Sequence, residues 1–321
     1  MDNRSAYLAG LLLLVTALNS PLVGQQVPDR TWHPAISRPA WSEGKGPVVC
    51  LDEAHANFHT LDDRFWAFGE LLRRDGYVVR PLRSRLSAAS LGECAIVVIA
   101  NAQPSQAEWD TYPYPTPSAF ARDEVQATLK WVQSGGSLLL IADHMPLAGA
   151  AAALAAAFEV RFFDGFAVAA FEGDSPPRGA VAEPTLFRAT DGTLKDHPIV
   201  RGRDSTEVVD SVRSFTGQAF QAPSTAEPLL VLPADFILLL PEKAWQFDAQ
   251  TRRMPVGGWL QGAVMTVGSG RAAFFGEAAM FSAQSAGPAG RPMGMNAPGA
   301  EQNYRFVLNL MRWLTPAGRG R

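Results

Sequence analysis

Three short apolar runs in the chain each end in acidic or histidine residues. The runs and the polar residues that follow them are 48–51 with Asp52 and His55, 138–142 with Asp143 and His144, and 272–276 with Glu277. An apolar run of four to eight residues is typical of a fully buried strand in a parallel sheet. Ligands bind beyond the carboxyl ends of such strands. We therefore expect three separate segments to deliver polar side chains to one rim of a sheet.

Hydrophobic periodicity and turn residues around these runs predict further elements. The predicted strands cover residues 47–52, 77–82, 94–100, 137–142, 160–163, 229–232, 236–240, 259–267 and 271–275. The predicted helices cover residues 60–74, 118–133, 147–158 and 303–314. Strands that alternate with helices, followed by an antiparallel last third, predict an α/β fold. Its sheet is doubly wound and mainly parallel, with an antiparallel C-terminal extension.

The N-terminus carries the pattern of a signal peptide. Arg4 precedes an apolar stretch at residues 6–18, and a plausible cleavage site lies near Gly24. The chain then divides into a signal peptide (1–26), an arm or linker (27–46), a single α/β domain (47–316) and a tail (317–321). This division predicts an exported protein, periplasmic or secreted, with no membrane span in the mature chain. An uncleaved anchor is the alternative.

The net charge bears on the possible partners of the protein, and the two cysteines bear on whether it contains a disulfide. The formal net charge is -3, so the overall field does not favour nucleic acid as a partner. Export would permit a disulfide between Cys50 and Cys94. If their strands ended level, however, the two cysteines would be offset by about 13 Å along the sheet, and a disulfide needs Cα atoms within about 7 Å. We therefore predict two buried free thiols.

The rim residues suggest two kinds of chemistry. His55 and His59 are four residues apart in the loop after the first strand, and with His144 they could bind a divalent metal such as zinc. The carboxylates could instead act in general acid–base catalysis. The predicted catalytic residues are Asp52, His55, His59, Asp143, His144 and Glu277. The alternative is a purely structural role, in which each histidine binds loop backbone or caps a helix. His197, beside Pro198 in a later turn, could have such a role too.

Several segments together resemble a bacterial family of unassigned reaction with a class I glutamine amidotransferase-like fold. The motifs that carry the resemblance are Asp52-x-x-His55-x-Asn57-Phe58-His59-Thr60, Asp75-Gly76-Tyr77, Trp131-Val132-x-x-Gly135-Gly136, Ala142-Asp143-His144-x-Pro146 and Gly270-Arg271-x-x-x-Phe275-Gly276-Glu277. His197-Pro198-Ile199 with Gly202 is also similar to trehalose-utilisation-type proteins. The resemblance implies a flavodoxin-like sheet. The superfamily's catalytic cysteine has no counterpart here, since Ala100-Asn101 and Asp143-His144 follow the third and fourth strands, so glutamine amidotransferase activity is not expected.

Two functional hypotheses remain open. In the first, an exported hydrolase uses the rim for acid–base or metal-assisted cleavage of a small polar substrate, sugar-like by analogy with the family. In the second, the rim belongs to a non-catalytic ligand-binding or interaction domain, with residues 101–117 and 285–300 as its lips. A catalytic site should bring His55 or His59 close to Asp143, His144 or Glu277. A binding domain should show those groups held by backbone, with aromatic side chains lining the cleft.

Overall fold

The computed structural model describes residues 26–177 and 179–316. The predicted signal peptide, apart from Gln26, and the tail at 317–321 lie outside the described residues. Within the described ranges, every helix is too short or too polar to cross a membrane.

The described chain alternates strands and helices up to its middle and is then mostly strand. The strands are β1 (Gln26–Pro28), β2 (Val48–Asp52), β3 (Val78–Leu82), β4 (Ile96–Ala100), β5 (Ser137–Ile141), β6 (Arg161–Phe162), β7 (Phe166–Ala169), β8 (Thr185–Arg188), β9 (Ser211–Ser214), β10 (Phe220–Gln221), β11 (Glu227–Val231), β12 (Phe236–Leu240), β13 (Arg252–Pro255), β14 (Leu260–Val267), β15 (Gly270–Phe275), β16 (Ala283–Ala286) and β17 (Arg291–Gly294). The helices are α1 (Trp66–Arg74), α2 (Ala88–Gly92), α3 (Arg122–Gln133), α4 (Leu147–Ala156), α5 (Pro198–Arg201) and α6 (Asn303–Leu314).

The main sheet has nine strands, and its centre is parallel. Its order is β3-β2-β4-β5-β15-β14-β10-β6, with β11 also paired to β14. The first five strands of this order are parallel, and β14 runs antiparallel to β15. Counted along the chain, the parallel strands follow the 2-1-3-4-5 order of flavodoxin-like sheets. The predicted fold class, a doubly wound α/β sheet with an antiparallel extension, is confirmed.

Each face of the sheet is covered by helices, because successive side chains of a strand point to opposite faces. Val49 and Leu51 of β2 belong to the core that contains α1 and α6, and Cys50 belongs to the core that contains α3 and α4. The central strands are buried on both faces, which explains why they read as continuous apolar runs.

The predicted arm is tied to the rest of the protein. Its first residues form β1, which pairs with β16, and β16 pairs with β17. Trp32 and Trp41 then pack against the main core. Residues 285–286 and 291–294 of the segment that we expected beside the carboxyl rim form strands of this small sheet with the N-terminal arm.

The first helix starts later than the sequence suggests. Helix α1 begins at Trp66, whereas the sequence predicted a helix from residue 60. The Thr60 carbonyl instead accepts hydrogen bonds from the N–H groups of Asp63 and Phe65, which closes a wide turn before the helix. The additional turns lengthen the loop after β2, and that loop carries His55 and His59.

Cys50 and Cys94 form a disulfide with Cα atoms 5.9 Å apart, so the prediction of free thiols is wrong. Cys50 lies opposite Val97 in the strand register. An extended chain would put Cys94 about 10 Å along the sheet from that position. Strand β4 begins only at Ile96, and Cys94 lies in the turn after α2, where its N–H donates to the Leu91 carbonyl. This turn folds Cys94 back over the sheet face to Cys50.

Candidate functional site

Polar side chains stand at the carboxyl ends of four neighbouring parallel strands. They are Asp52 at the end of β2, Asn101 after β4, Asp143 after β5 and Glu277 after β15. None of the four is more than 8% exposed. Three of them were predicted from the apolar runs. Asn101 also follows an apolar strand, β4, but was not among the predicted site residues.

Asn101 connects the loop after β2 to the end of β5. Its Nδ2 donates to Asp143 Oδ2 at 2.8 Å and to His59 Nδ1 at 3.2 Å, and its Oδ1 accepts from the Asp143 N–H at 2.9 Å. Its backbone has a φ of 50°, a left-handed conformation that asparagine tolerates better than most residues. The predicted site residues His59 and Asp143 are therefore joined through one amide.

Asp143 and Glu277 are a buried pair of carboxyl groups. Asp143 Oδ1 accepts from the Ala278 N–H at 2.9 Å, and the Glu277 oxygens accept from the N–H groups of Ala279 and Met280 at 2.7 and 2.8 Å. Burial raises the pKa of Asp143 to about 7. The hydrogen bonds that Asp143 accepts from Asn101 and Ala278 lower the pKa, but by less than burial raises it. Burial, followed by the charge of Asp143, holds the pKa of Glu277 well above its usual value. At neutral pH the pair retains a proton, and the Glu277 oxygens satisfy the first two N–H groups of the turn at Ala279–Phe281.

His55 lies between two carboxylates. Its Nδ1 is 2.9 Å from both Asp52 oxygens, and its Nε2 is 3.1 Å from Glu124 Oε1. Burial lowers the pKa of His55, but hydrogen bonds and charges from Asp52 and Glu124 outweigh it and raise the pKa overall. Both ring nitrogens face acceptors, so the ring is an imidazolium that ties the end of β2 to α3. Glu124 lies on a helix, outside the strand-end pattern, and only the tertiary contact reveals it.

His144 stands apart from the carboxylates in a group of aromatic rings. Its ring stacks on Phe166 with centroids 4.5 Å apart and an interplanar angle of 11°, and it meets Trp245 at 4.7 Å and Trp109 at 5.5 Å. Burial lowers the pKa of His144 to about 4. The neutral ring donates from Nδ1 to the Met145 carbonyl at 2.6 Å. No other hydrogen bond to this ring occurs within the described residues, so Nε2 keeps an unpaired acceptor.

We call Trp109, His144, Phe166 and Trp245 the rim aromatic cluster. Trp245 is 43% exposed and has a φ of 65°, which is uncommon for a bulky residue. Its loop meets the predicted lip at residues 101–117, where Gln246 Nε2 donates to Asp110 Oδ2 at 3.3 Å. The segment after β12 thus forms one lip of the rim.

The predicted metal site finds no support in this arrangement. Among residues 26–177 and 179–316, no three His, Cys, Asp or Glu side chains form a group that could hold a metal ion. His55 is held by carboxylates, His59 by Asn101 and His144 by a backbone carbonyl. His197 is also excluded from the rim, since its Nδ1 accepts from the Ile199 N–H and caps α5.

The fold and the rim together define an α/β protein with a flavodoxin-like strand order. No family model matches the chain, and no curated protein matches it either. Among solved structures, the mmIFT52 N-terminal domain aligns with a TM-score of 0.55 and 12% identity, over 84% of this chain and 98% of that chain. Its identity is low, so this likeness shows the fold alone.

Thua-like proteins are also among the similar structures. One from Bacteroides uniformis ATCC 8492 has a TM-score of 0.42 and 11% identity, over 88% of this chain and 94% of its own. Another, from Parabacteroides merdae ATCC 43184, has a TM-score of 0.40 and 11% identity, over 84% and 90%.

Proposed function

We propose that the protein is an exported, non-catalytic binding domain whose small sugar-like ligand lies against the rim aromatic cluster. The observation that carries the proposal is the neutral His144 ring, enclosed by aromatic side chains and left with one unpaired acceptor, Nε2. Ligand sites typically combine aromatic walls with a few placed polar groups. A sugar ring offers both complements, namely an apolar C–H face for Trp245 and hydroxyl donors for Nε2.

The state of the buried carboxylates supports binding over catalysis. Glu277 is 1% exposed, and its oxygens accept from two backbone N–H groups. His55 is fixed on both sides by Asp52 and Glu124. Groups held in this way keep the strand ends and loops in place. They also leave little freedom to exchange protons with a substrate.

The Cys50–Cys94 disulfide supports the proposed export. Disulfides persist mainly in extracellular and periplasmic proteins, because cytosolic thiols are kept reduced. Both sulfurs lie in the core beside the parallel sheet, so the bond belongs to the folded domain. The predicted signal peptide points to the same compartment.

Tryptophan fluorescence and calorimetry with trehalose, glucose and glucuronate test the binding proposal. We expect at least one of the three sugars to bind at millimolar concentration or below and to change the emission. Trp245→Ala and His144→Ala should abolish that binding. Trp313→Phe is the control, because the Trp313 carbonyl accepts a hydrogen bond from Arg271 at the opposite, amino end of β15. Absence of binding by all three sugars would overturn the proposal.

A second candidate function is acid–base hydrolysis at Asp143. It is favoured by the pKa of about 7 for this carboxyl group, which suits proton transfer near neutral pH. Turnover of 4-nitrophenyl glucoside, with a rate that changes near pH 7 and is lost in Asp143→Asn, would support it. A folded Asp143→Asn variant with unchanged turnover would exclude it.

A further inference from the structure

The His144 ring is almost completely enclosed by its aromatic neighbours. His144 is 5% exposed. One face of its ring stacks on Phe166, and Trp245 and Trp109 meet the ring at interplanar angles of 74° and 68°. A ligand ring needs more room beside Nε2 than this enclosure leaves. One of the surrounding rings must therefore move before a ligand can make full contact with His144.

Trp245 is the best placed of these rings to move. Phe166 is fully buried, whereas Trp245 is 43% exposed. Trp245 belongs to the hairpin tip, by which we mean residues 241–251 between β12 and β13. Ala244 and Phe247, on either side of Trp245, pack into the core around Phe166. The tip is thus anchored at both flanks, and the part that can move is short and centred on Trp245.

The other tryptophan of the cluster, Trp109, is held more firmly. Its indole N–H donates to Gln103 Oε1 at 2.8 Å, and its ring meets Phe58 with centroids 4.9 Å apart. The indole N–H of Trp245 has no acceptor within the described residues. Movement of Trp245 therefore breaks aromatic contacts alone, whereas movement of Trp109 would also break a hydrogen bond.

The backbone of Trp245 favours such a movement. Its φ of 65° lies in the left-handed region, which is strained for a bulky residue. Strained residues of this kind persist only where the surrounding contacts enforce them, and they cluster at ligand clamps and switch regions. A return to an ordinary negative φ would carry the indole off His144. The strain released would offset part of the aromatic contacts that are lost.

A single exposed hydrogen bond holds the hairpin tip to the opposite lip of the rim. Gln246 Nε2 donates to Asp110 Oδ2 at 3.3 Å, and both residues are exposed. Within the described residues, no other hydrogen bond joins the tip to the lip at residues 101–117. Water competes with an exposed hydrogen bond, so this one contributes little net stability. It can break and form again as a latch does.

We propose that the hairpin tip is a gate, in which Trp245 swings outward with loss of the Gln246–Asp110 bond, admits the rim ligand to His144 and closes over it. The inference rests on the proposed function and adds the step by which its ligand enters. Closure restores the aromatic wall and keeps water from the bound ligand, as lids over binding sites do.

A covalent bridge across the latch tests the gate without any ligand. In an Asp110→Cys/Gln246→Cys variant, a short bismaleimide joins the two lips. The two native cysteines are bonded to each other, so only the introduced thiols react. Labelling of His144 by diethyl pyrocarbonate at neutral pH, measured by mass spectrometry, then reports how often Nε2 is uncovered. We expect the bridge to slow this labelling by about tenfold or more, since it removes a minor open state.

Two references accompany this measurement. The exposed His33 should be labelled at the same rate with and without the bridge. An Asp248→Cys/Thr251→Cys variant, bridged in the same way, joins two residues that are already hydrogen-bonded within the tip, at 3.2 Å between their side-chain oxygens. This second bridge does not cross the rim and should leave the labelling of His144 unchanged. Trp245→Ala, which removes the gate, should speed it.

Rapid mixing with trehalose, glucose and glucuronate, followed by tryptophan fluorescence, tests ligand entry. We expect the bridge across the latch to slow association of any sugar that binds. Equal labelling of His144 with and without that bridge, or equally fast association, would overturn the gate and leave sugar binding intact. Failure of all three sugars to bind, with His144 still protected by the bridge, would overturn the proposed function and support the movement of the tip.

Discussion

Asn101 and Asp143 hold each other by two hydrogen bonds across the ends of β4 and β5. The Asn101 side chain donates to Asp143 Oδ2 at 2.8 Å and accepts from the Asp143 N–H at 2.9 Å. A third contact reaches His59. This amide is the centre of the polar rim, and several measurable consequences follow from it and from its neighbours.

Replacement of Asn101 by alanine should destabilise the protein strongly. The change leaves the Asp143 N–H and His59 Nδ1 without partners and places alanine in a left-handed conformation. Together these effects should lower the free energy of unfolding by roughly 2–4 kcal/mol, measured by urea denaturation. Asn309→Ala is a matched control, since buried Asn309 donates one hydrogen bond to the Glu207 carbonyl and should cost about 1 kcal/mol. Equal costs for the two variants would contradict the central role of Asn101.

The pair formed by Asp143 and Glu277 should make stability fall as pH rises from about 4 to about 7. Below this window the two carboxyl groups are protonated in both states. Within it the unfolded chain ionises while the folded pair keeps its proton, because the pKa of Asp143 is raised to about 7, so unfolding is favoured.

Glu277→Gln removes one of the two carboxyl groups whose pKa is raised and should flatten this decline in the free energy of unfolding, measured by denaturation at several pH values. Glu242→Gln, at an exposed position, serves as the control, and its pH profile should follow that of the wild type. An unchanged slope in Glu277→Gln would show that the pKa of Glu277 is not raised in the folded protein.

His55 should contribute stability that disappears at high pH. Its pKa is raised in the folded protein, so the contribution is complete below the unfolded pKa of about 6.5 and is lost as pH rises through the folded value. The difference in unfolding free energy between wild type and His55→Gln should therefore be larger at pH 6 than at pH 9. The exposed His33 provides the control substitution, His33→Gln. A difference that grows with pH would mean that the ring is neutral when folded.

Loss of the Cys50–Cys94 disulfide should lower stability by up to about 4 kcal/mol, as expected for a crosslink that closes a loop with a sequence separation of 44. The Cys50→Ala/Cys94→Ala double variant and the reduced wild type should unfold at similar, lower urea concentrations. Free thiols in the folded, non-reduced protein, detected by a thiol reagent after unfolding, would contradict the bond.

The polar residues at the predicted strand ends show what the hydrophobic pattern alone can predict. Asp52, Asp143 and Glu277 follow apolar runs that are long enough to be buried strands and too short to be helices. Parallel strands present their carboxyl ends on the same edge of a sheet, so the convergence of these residues was predictable. The same physical reasoning accounts for the correct fold class, because alternating strands and helices leave few ways to cover both faces of a sheet.

Other features depended on contacts between residues far apart in the chain. Trp245 reaches His144 only because β12 pairs with β7, which brings the following loop to the rim. Glu124 meets His55 because the first turn of α3 reaches the loop after β2, and Cys94 meets Cys50 because a turn replaces the expected strand. Hydrophobic periodicity is a local property of the chain, so the sequence by itself determined which segments are buried and where polar groups emerge. The partner of each polar group depends on packing between distant segments, and only the tertiary structure decided it.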